Sequence, residues 1–352
     1  MAATLQEIAE KTKLSLTTVS YILNNKADDV GISEKTRHIV RQTAKNLGYR
    51  SNQVARSLKS QKTGTIGLVF TNARGTFMNE IISGIQSVSH QEGYDLFLCI
   101  SDDDWEKEAM HIQMLRERRV DGMIVFFVSC RKGEKANHDH LLEVKKDGIP
   151  LILIDRYLPG TDIDYVVTDD FAGAYDAVTH LIKLGHKKIA HITVLVDCTS
   201  VQNRLEGYKK ALIDAGIEIN KEYIKTVDCG DDKNVKADVY KVIKDFLTME
   251  NERPTAIFTV NDGVAMYASK AIKESGLSVP QDIALVGFGN FIESALVEVP
   301  LTVVDQPKSE LGEKVTEILI QKIEQPELTD VKRIAIKPKL IIRDSCGAGN
   351  TR

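Results

Sequence analysis

The sequence lacks the cysteine and glycine patterns that mark several common classes of protein. Its five cysteines include no Cys-x-x-Cys pair, which argues against a zinc ribbon and a disulfide framework and fits the reduced thiols of the cytosol. It also has no Walker loop, no Gly-x-Gly-x-x-Gly fingerprint and no Gly-x-Ser-x-Gly elbow. We therefore expect neither enzymatic activity nor a bound cofactor.

Membrane and export signals are missing too. No apolar run reaches the roughly 20 residues of a membrane-spanning helix. The N-terminus lacks the charged region and following apolar segment of a secretory signal peptide. These absences predict a cytoplasmic protein with no membrane partner.

Three short helical patterns are present near the N-terminus. Thr4-Leu5-Gln6-Glu7 has the residues of a capping box, and the helix that it starts is expected to end near Lys13. A second helix is predicted over residues 16–24, after a turn at Ser15, and a third from Ser33. The third helix is expected to bury Ile39, Val40, Ala44 and Leu47. The first two patterns fit a helix-turn-helix that reads DNA, although an ordinary three-helix bundle has the same periodicity.

Charge is divided unevenly along the chain. Residues 1–62 hold eleven Lys and Arg against five Asp and Glu, a net charge of +6. The whole chain has 46 against 50, so residues 63–352 hold 35 against 45, a net charge of −10. A basic head on an acidic body favours phosphate binding that is confined to the head.

From about residue 63 the chain alternates apolar runs with amphipathic stretches. The runs are continuous, as in strands buried on both faces, and span 65–70, 96–100, 123–128, 151–154, 188–193, 256–260 and 283–288. Helical patterns such as 79–92 and 171–184 lie between several of them, which predicts parallel sheets built from βα units. Because roughly 280 residues are too many for one compact core, we expect two sheets.

Polar and aromatic residues follow several of these runs. Ligands of open α/β sheets bind at the carboxyl ends of the strands. The candidate ligand residues at these ends are Asp155, Arg156, Asn261, Asp262, Phe288 and Asn290. For Arg156 a surface salt bridge is the alternative interpretation.

One short motif imitates a metal site. His138-Asp139-His140 brings two imidazoles close together in the sequence. Because the motif lies in a polar loop beside Lys135 and Asn137, we predict no metal there.

A series of short motifs runs along the chain in a fixed order. Near the N-terminus they occupy residues 4–9, 15–20, 23–24, 33–37, 47–49 and 52–58. Further on they occupy residues 62–67, 121–122, 184–186, 204, 207–208, 261–262, 286–288, 301–307 and 340–343. Over nearly the whole chain, their order and spacing resemble the lactose/galactose repressor family of bacterial transcription regulators.

The resemblance implies an all-α helix-turn-helix DNA-binding head and an α/β, two-lobed, periplasmic-binding-protein-like effector domain with parallel sheets. The expected domains are a DNA-binding domain over 1–50, a hinge helix and linker over 51–62, and an effector-binding and dimerisation domain over 63–345. One lobe is expected to comprise about 63–160 with 292–324, and the other about 161–291 with 325–345.

For DNA, the resemblance implies contacts from the second helix. Leu16, Thr17 and Tyr21 stand where family members touch base edges. Tyr21 replaces a residue that is often Arg or His, so an arginine–guanine pair is missing there. The phosphate contacts that we expect come from Thr4, Ser15, Thr18 and Asn24.

The segment 52–59 is too short to hold a helix alone in water. In the resembled family it folds when two copies meet in the minor groove of the operator. The residues implied in this contact are Asn52, Ala55, Leu58 and Lys59. Leu58 would be the apolar wedge that kinks the duplex. Ser51 stands where the family usually has Pro, so the rigid entry to the hinge is lost.

The resemblance also implies a small-molecule effector between the lobes, a sugar or sugar derivative. Arg204 stands at the family position whose guanidinium reaches hydroxyls or a carboxylate of the effector, and Phe77 is expected to supply an apolar or stacking wall. Asn290 stands where many sugar-responsive members carry Asp. This difference leaves three possibilities open: another sugar, a phosphorylated sugar, or no effector.

Together these features predict a sequence-specific, effector-controlled transcriptional repressor that acts as a homodimer on a near-palindromic operator. Either an inducer or a corepressor fits. The alternative is a cytoplasmic sugar-binding or sugar-modifying α/β protein whose N-terminal helices serve oligomerisation. The tail after Arg343 is too short for a heptad-repeat tetramerisation helix, which favours a dimer.

Overall fold

The computed structural model describes residues 3–23, 30–49, 62–72, 75–131, 137–228 and 232–350. Contacts divide the chain into two compact units, Met1–Thr63 and Gly64–Arg352. Each unit has hydrophobic clusters of its own. Within the described residues, no helix combines the length and apolar character needed to cross a bilayer.

The smaller unit contains three helices, α1 Leu5–Thr12, α2 Leu16–Leu23 and α3 Glu34–Asn46. The predicted capping box is present: the Thr4 N–H donates to Glu7 Oε2 at 2.9 Å, and the Glu7 N–H donates to Thr4 Oγ1 at 3.3 Å. Ser33 caps α3 by accepting a hydrogen bond from the backbone N–H of Thr36. The three helices predicted for the head are therefore present close to their expected bounds.

One cluster of buried apolar side chains holds these helices together. Its members are Ile8, Ala9, Val19, Ile22, Val40 and Ala44. Leu47 packs against the cluster as a partly buried residue. The prediction for Ile39 is wrong, because its side chain is 46% exposed. Val40 and Ala44 lie one turn apart on the inner face of α3, and the residue before Val40 points away from that face.

Two six-stranded sheets form the centre of the larger unit. The first contains β1 Thr65–Phe70, β2 Asp95–Ile100, β3 Gly122–Val125, β5 Leu151–Ile154, β6 Asp164–Thr168 and β13 Arg333–Ile336. Its strands are all parallel, in the order β13-β6-β5-β3-β1-β2. The strands of the second are β7 Ile189–Val194, β9 Ile224–Val227, β10 Ala256–Thr259, β11 Ala284–Gly289, β12 Thr302–Asp305 and β14 Lys339–Ile341. Their order is β14-β12-β11-β10-β7-β9, with β14 antiparallel to β12.

Helices connect the strands of each sheet. The first lobe contains α4 Gly75–Gln91, α5 Trp105–Glu117, α6 Asp139–Lys146 and α12 Lys308–Glu324. The second contains α7 Asp170–Lys183, α8 Thr199–Asp214, α9 Asp232–Leu247, α10 Asp262–Glu274 and α11 Ile292–Leu296. Short 3-10 helices lie at Lys221–Tyr223, Glu250–Glu252, Asp344–Cys346 and Ala348–Asn350. Two short strands, β4 Cys130–Arg131 and β8 Val196–Asp197, form an antiparallel pair. β4 follows β3 of the first sheet and β8 follows β7 of the second, so the pair connects the two lobes.

The seven apolar runs that predict strands all contain one, so this part of the prediction is confirmed. The strand in the run 123–128 is shorter than predicted, since β3 ends at Val125. Beyond that point, the Val128 N–H donates to the side chain of Glu108 instead of to a neighbouring strand. Seven of the described strands were not predicted, because their sequences are short and partly polar: β4, β6, β8, β9, β12, β13 and β14.

Three strands belong to a different lobe from the one predicted for them. β6 and β13 belong to the first sheet, although both were expected in the second lobe, whereas β12 belongs to the second sheet and was expected in the first. β6 pairs with β5, and β12 pairs with β11. Pairing between strands from distant parts of the chain decides lobe membership, and no local pattern reports it.

Candidate DNA-binding and effector sites

The outer face of α2 carries the three side chains expected to touch bases. Leu16 is 52% exposed, Tyr21 is 37% exposed, and Thr17 is exposed beside them. The inner face of the same helix buries Val19 and Ile22. The structure therefore separates the expected reading face from the core face.

The hydroxyls expected to contact phosphates also cap helices. Ser15 Oγ accepts a hydrogen bond from the Thr18 N–H at 3.0 Å and lies 2.8 Å from Thr18 Oγ1. Thr4 belongs to the capping box of α1. Both groups lie at the N-terminus of a helix, where backbone N–H groups attract anions. Asn24 and the hinge residues Asn52, Ala55, Leu58 and Lys59 lie outside the described residues.

A cavity of about 700 Å³ opens between the two sheets of the larger unit. Its walls come from segments that follow the carboxyl ends of strands in both lobes. Six of the eight expected effector residues line it: Phe77, Asp155, Arg156, Arg204, Asn261 and Phe288. The parallel strands explain this convergence, since their carboxyl ends share one edge in each sheet.

The first lobe contributes a charged pair that follows β5. Asp155 is buried and has a φ of 68°, in the left-handed region that Asp and Asn tolerate better than most residues. Arg156 Nε lies 3.6 Å from Asp155 Oδ2, and Nη1 donates to Ser129 Oγ. The guanidinium of Arg156 lies 4.1 Å from the centre of the Phe126 ring. Burial raises the pKa of Asp155, while the neighbouring arginines act in the opposite direction.

The second lobe contributes Arg204 from α8. Its Nε donates to Asp170 Oδ1 at 2.7 Å, and its Nη1 donates to the Val260 carbonyl at 2.7 Å. Its guanidinium carbon lies 3.8 Å from the centre of the Phe288 ring. Burial raises the pKa of Asp170 to about 7, and Arg204 opposes that shift. Asn261 lines the cavity and caps α10 by accepting from the Val264 N–H at 2.9 Å.

Two expected effector residues lie elsewhere. Asp262 is fully buried, and its Oδ2 accepts from the Phe291 N–H at 2.6 Å and from the Ser294 hydroxyl at 2.7 Å. Asn290 Oδ1 accepts from Arg343 Nη2 at 2.7 Å. Neither residue lines the cavity. The prediction failed because adjacent residues at a strand end point in different directions, so that one faces the cavity while the next anchors a loop.

Several lining residues were missed by the sequence analysis. They are mainly polar or aromatic and include Asn72, Asp102, Asp103, Trp105, Phe126, Ser129 and Gln306. Asp102 and Asp103 come one residue after the end of β2, separated from it by Ser101. The expectation that ligands bind at the carboxyl ends of strands therefore applied to them as well. Gln306 follows β12, which the sequence analysis did not recognise as a strand, and donates to Thr168 Oγ1 at 3.2 Å.

Comparisons with known proteins agree with this architecture. Residues 4–52 match the family described as bacterial regulatory proteins, lacI family. Residues 63–344 match the periplasmic binding proteins and sugar binding domain of the LacI family. The HTH-type transcriptional repressor PurR of Aliivibrio fischeri is 34% identical over 346 residues, which cover 97% of this chain and 98% of that protein.

Solved structures of related regulators have a similar fold. The transcriptional regulator CelR in complex with cellobiose superposes with a TM-score of 0.70 and 25% identity, over 97% of this chain and 99% of that one. A LacI family transcriptional regulator from Enterococcus faecium with bound ribose superposes with a TM-score of 0.65 and 26% identity, over 80% of this chain and 98% of that one. The fold class predicted from the sequence is confirmed. The chain belongs to the lacI family of bacterial regulatory proteins and is a DNA-binding transcriptional repressor.

Proposed function

We propose that this repressor binds a near-palindromic operator as a homodimer, and that an uncharged sugar or sugar derivative held between its lobes controls operator affinity. The observation that carries the effector proposal is the cavity of about 700 Å³, which has polar side chains from both sheets. A cavity of this size matches the usual range of small-molecule sites. A ligand that contacts both lobes binds one relative arrangement of them better than others, which is the requirement for shifting a conformational equilibrium.

The charge of the lining supports an uncharged effector. Arg156 already faces Asp155, and Arg204 already forms an ion pair with Asp170. Both guanidinium groups also lie over phenylalanine rings. No arginine of the described lining is therefore left as an uncompensated cation for a phosphate group. Carboxylate, amide and guanidinium groups held in this way suit the hydroxyls of a sugar, with several possible donors and acceptors.

Aromatic side chains supply the apolar part of the cavity. Phe77, Trp105 and Phe126 line it from the first lobe, and Phe288 and Phe291 line it from the second. Rings of this kind pack against the C–H faces of a pyranose while polar groups reach its edges. The complexes of the two related regulators with cellobiose and ribose support the same ligand class.

The antiparallel pair of β4 and β8 lies beside the cavity and bridges the lobes. Cys130 pairs with Asp197, and Arg131 pairs with Val196. Val196 lines the cavity directly, as does Ser129, the residue before β4. A change of lobe separation has to alter this pair, so an effector that fixes the lobes also fixes the bridge. We propose that this movement reaches the segment 51–62, which lies almost wholly outside the described residues.

A panel of uncharged sugars and sugar phosphates, scored by thermal unfolding of the full-length protein, tests the effector class. We expect at least one uncharged sugar to raise the melting temperature. Asp155→Asn should weaken that sugar's binding at least about tenfold, since a carboxylate hydrogen bond contributes about 1.5–3 kcal/mol. Asp162→Asn is the matched control, because Asp162 is an exposed aspartate of the same lobe. Stabilisation by sugar phosphates alone would contradict the uncharged class.

Binding to operator DNA is tested by its salt dependence. A dimer that neutralises several phosphates should lose orders of magnitude in affinity between about 50 and 200 mM salt. Analytical ultracentrifugation of the free protein reports its oligomeric state. A salt-independent affinity, or a monomer at the concentrations that occupy the operator, would contradict this part of the proposal.

A further inference from the structure

A cluster of metal-type ligands lies in the first lobe, outside the effector cavity. Glu108 comes from α5, and His138 and His140 come from the start of α6. One ligand atom from each residue lies within 4.8 Å of the other two. No metal was predicted at 138–140, because the motif lies in a polar loop. The local pattern could not show that Glu108, from a different helix, lies beside the two histidines.

Glu108 is the buried member of the cluster. Its side chain has 0% exposure. Oε2 accepts from the Val128 N–H at 2.5 Å, and Oε1 lies 2.8 Å from His140 Nε2. A buried carboxylate is costly unless it is paired. Within the described part of the chain, His140 is the side chain that lies within hydrogen-bond distance of Glu108.

His138 supplies a nitrogen that has no other evident use. Its Nδ1 is buried and has no hydrogen-bond partner among the described residues. The ring makes an edge contact with Phe127, at 4.9 Å between centroids. Either ring nitrogen of a histidine can bind a metal, so this unpartnered nitrogen is a candidate ligand atom.

We propose that Glu108, His138 and His140 form a binding site for a divalent transition metal of the Zn²⁺ type. Two histidines and one carboxylate are a ligand set that zinc uses with a water in the fourth position. Zinc bonds of about 2.0–2.2 Å in tetrahedral geometry place the ligand atoms roughly 3.3 Å apart. Glu108 Oε1 lies 2.8 Å from His140 Nε2, and one ligand atom of each residue lies within 4.8 Å of the others, so these two distances bracket that separation.

A hydrogen bond from outside the proposed ligand set already holds Glu108 in place. While Oε1 of Glu108 faces the histidines, Oε2 holds the N–H of Val128. A hydrogen bond of this kind orients a ligating carboxylate and tunes its strength. The metal would therefore fasten α5, α6 and the loop after β3 to one another.

Calorimetric titration of chelator-treated, full-length protein with Zn²⁺ tests the proposal. The wild type is expected to bind one strong equivalent. The double variant His138→Ala with His140→Ala should bind zinc more than about 100-fold more weakly than the wild type. A loss of about 100-fold is the most that removing a hydrogen-bond partner of a metal ligand usually causes. His90→Ala is the control, because His90 is exposed at the end of α4, and it should bind zinc as the wild type does.

A thermal readout separates metal binding from a purely structural role for the cluster. Zinc should raise the melting temperature of the wild type and of His90→Ala, but not that of the double variant. If the double variant does not fold, His140→Gln replaces it, since an amide N–H can still donate to Glu108. Equal zinc binding by wild type and variant, or no strong zinc binding by the folded wild type, would overturn the site.

Discussion

The guanidinium of Arg204 lies over the ring of Phe288, with 3.8 Å between its central carbon and the ring centroid. The same group donates to Asp170 at 2.7 Å and to a backbone carbonyl at 2.7 Å. Stacking on Phe288 holds α8 against β11, and the ion pair with Asp170 holds α8 against α7, at the wall of the cavity. Arg204 is therefore a fixed part of that wall, so a ligand bound in the cavity would meet a preorganised surface.

Replacing Arg204 alone is expected to destabilise the protein. Arg204→Ala leaves the buried Asp170 without its cation, which costs about 3–5 kcal/mol. The double variant Arg204→Met with Asp170→Asn removes both charges and should recover most of that loss, as measured by denaturant unfolding. It should still lose the effector response while keeping operator affinity in the absence of effector. A wild-type effector response in the double variant would remove Arg204 from the effector site.

Base reading by α2 is expected to be specific to its outer face. Thr17→Ala and Tyr21→Ala should each weaken operator binding by about 1–3 kcal/mol and leave binding to unrelated DNA nearly unchanged. Gln42→Ala on the exposed side of α3 is the control. Equal losses on operator and unrelated duplexes, measured by fluorescence anisotropy, would assign these side chains to nonspecific contacts.

The hinge prediction rests on the sequence, because Leu58 and Lys59 lie outside the described residues. Leu58→Ala should reduce operator affinity far more than nonspecific affinity, since the wedge acts only where the duplex is kinked. Lys59→Gln should weaken both kinds of binding and lower the salt slope by about 1. If Leu58→Ala reduces the two affinities equally, the wedge role is wrong.

Helices α4 and α12 pack so closely that glycine is required at their contact. A Cβ on Gly312 would lie 2.1 Å from the Ile81 carbonyl oxygen, and one on Gly84 would lie 2.3 Å from the Ser309 carbonyl oxygen. Gly312→Ala should therefore lower the free energy of unfolding by about 1–3 kcal/mol or more, since two helix backbones must separate. Gly263→Ala is the matched control. Its new methyl group would have Asn261 Oδ1 at 3.5 Å as its nearest neighbour, so it should be neutral or slightly stabilising.

Stability is expected to fall in mild acid because of His191. This residue of β7 is buried, with its ring stacked between Tyr208 and Phe258 at 5.1 and 5.0 Å. Burial lowers the pKa of His191 from its ordinary value of 6.5 to about 4. Between these two values the unfolded chain binds a proton that the folded chain does not. The free energy of unfolding therefore decreases as the pH falls, by about 3 kcal/mol from this group.

Denaturant unfolding at several pH values checks this assignment. His191→Phe should lose less stability than the wild type between about pH 6.5 and pH 4, because the titrating ring is gone. The exposed His90→Ala variant should follow the wild-type pH dependence. An unchanged pH dependence in His191→Phe would show that other groups cause the acid sensitivity.

Local patterns in the sequence were sufficient for the parts of this protein that short-range physics determines. Thr4 and Glu7 start a helix by satisfying each other's backbone N–H groups, and continuous apolar runs such as 151–154 become strands because both of their faces are buried. Because parallel strands end at a common edge, Asp155 and Asn261 could also be assigned to the cavity before its shape was known.

Only the tertiary structure decided which distant segments meet. It placed β6 and β13 in the first sheet, turned Asp262 away from the cavity toward Ser294, and brought Glu108 to His138 and His140. Each of these outcomes depends on strand pairing, loop path or helix packing between segments far apart in sequence. Side-chain direction at strand ends and long-range pairing leave no periodic trace, so the amino-acid pattern determined the elements and their class, while packing determined the partners.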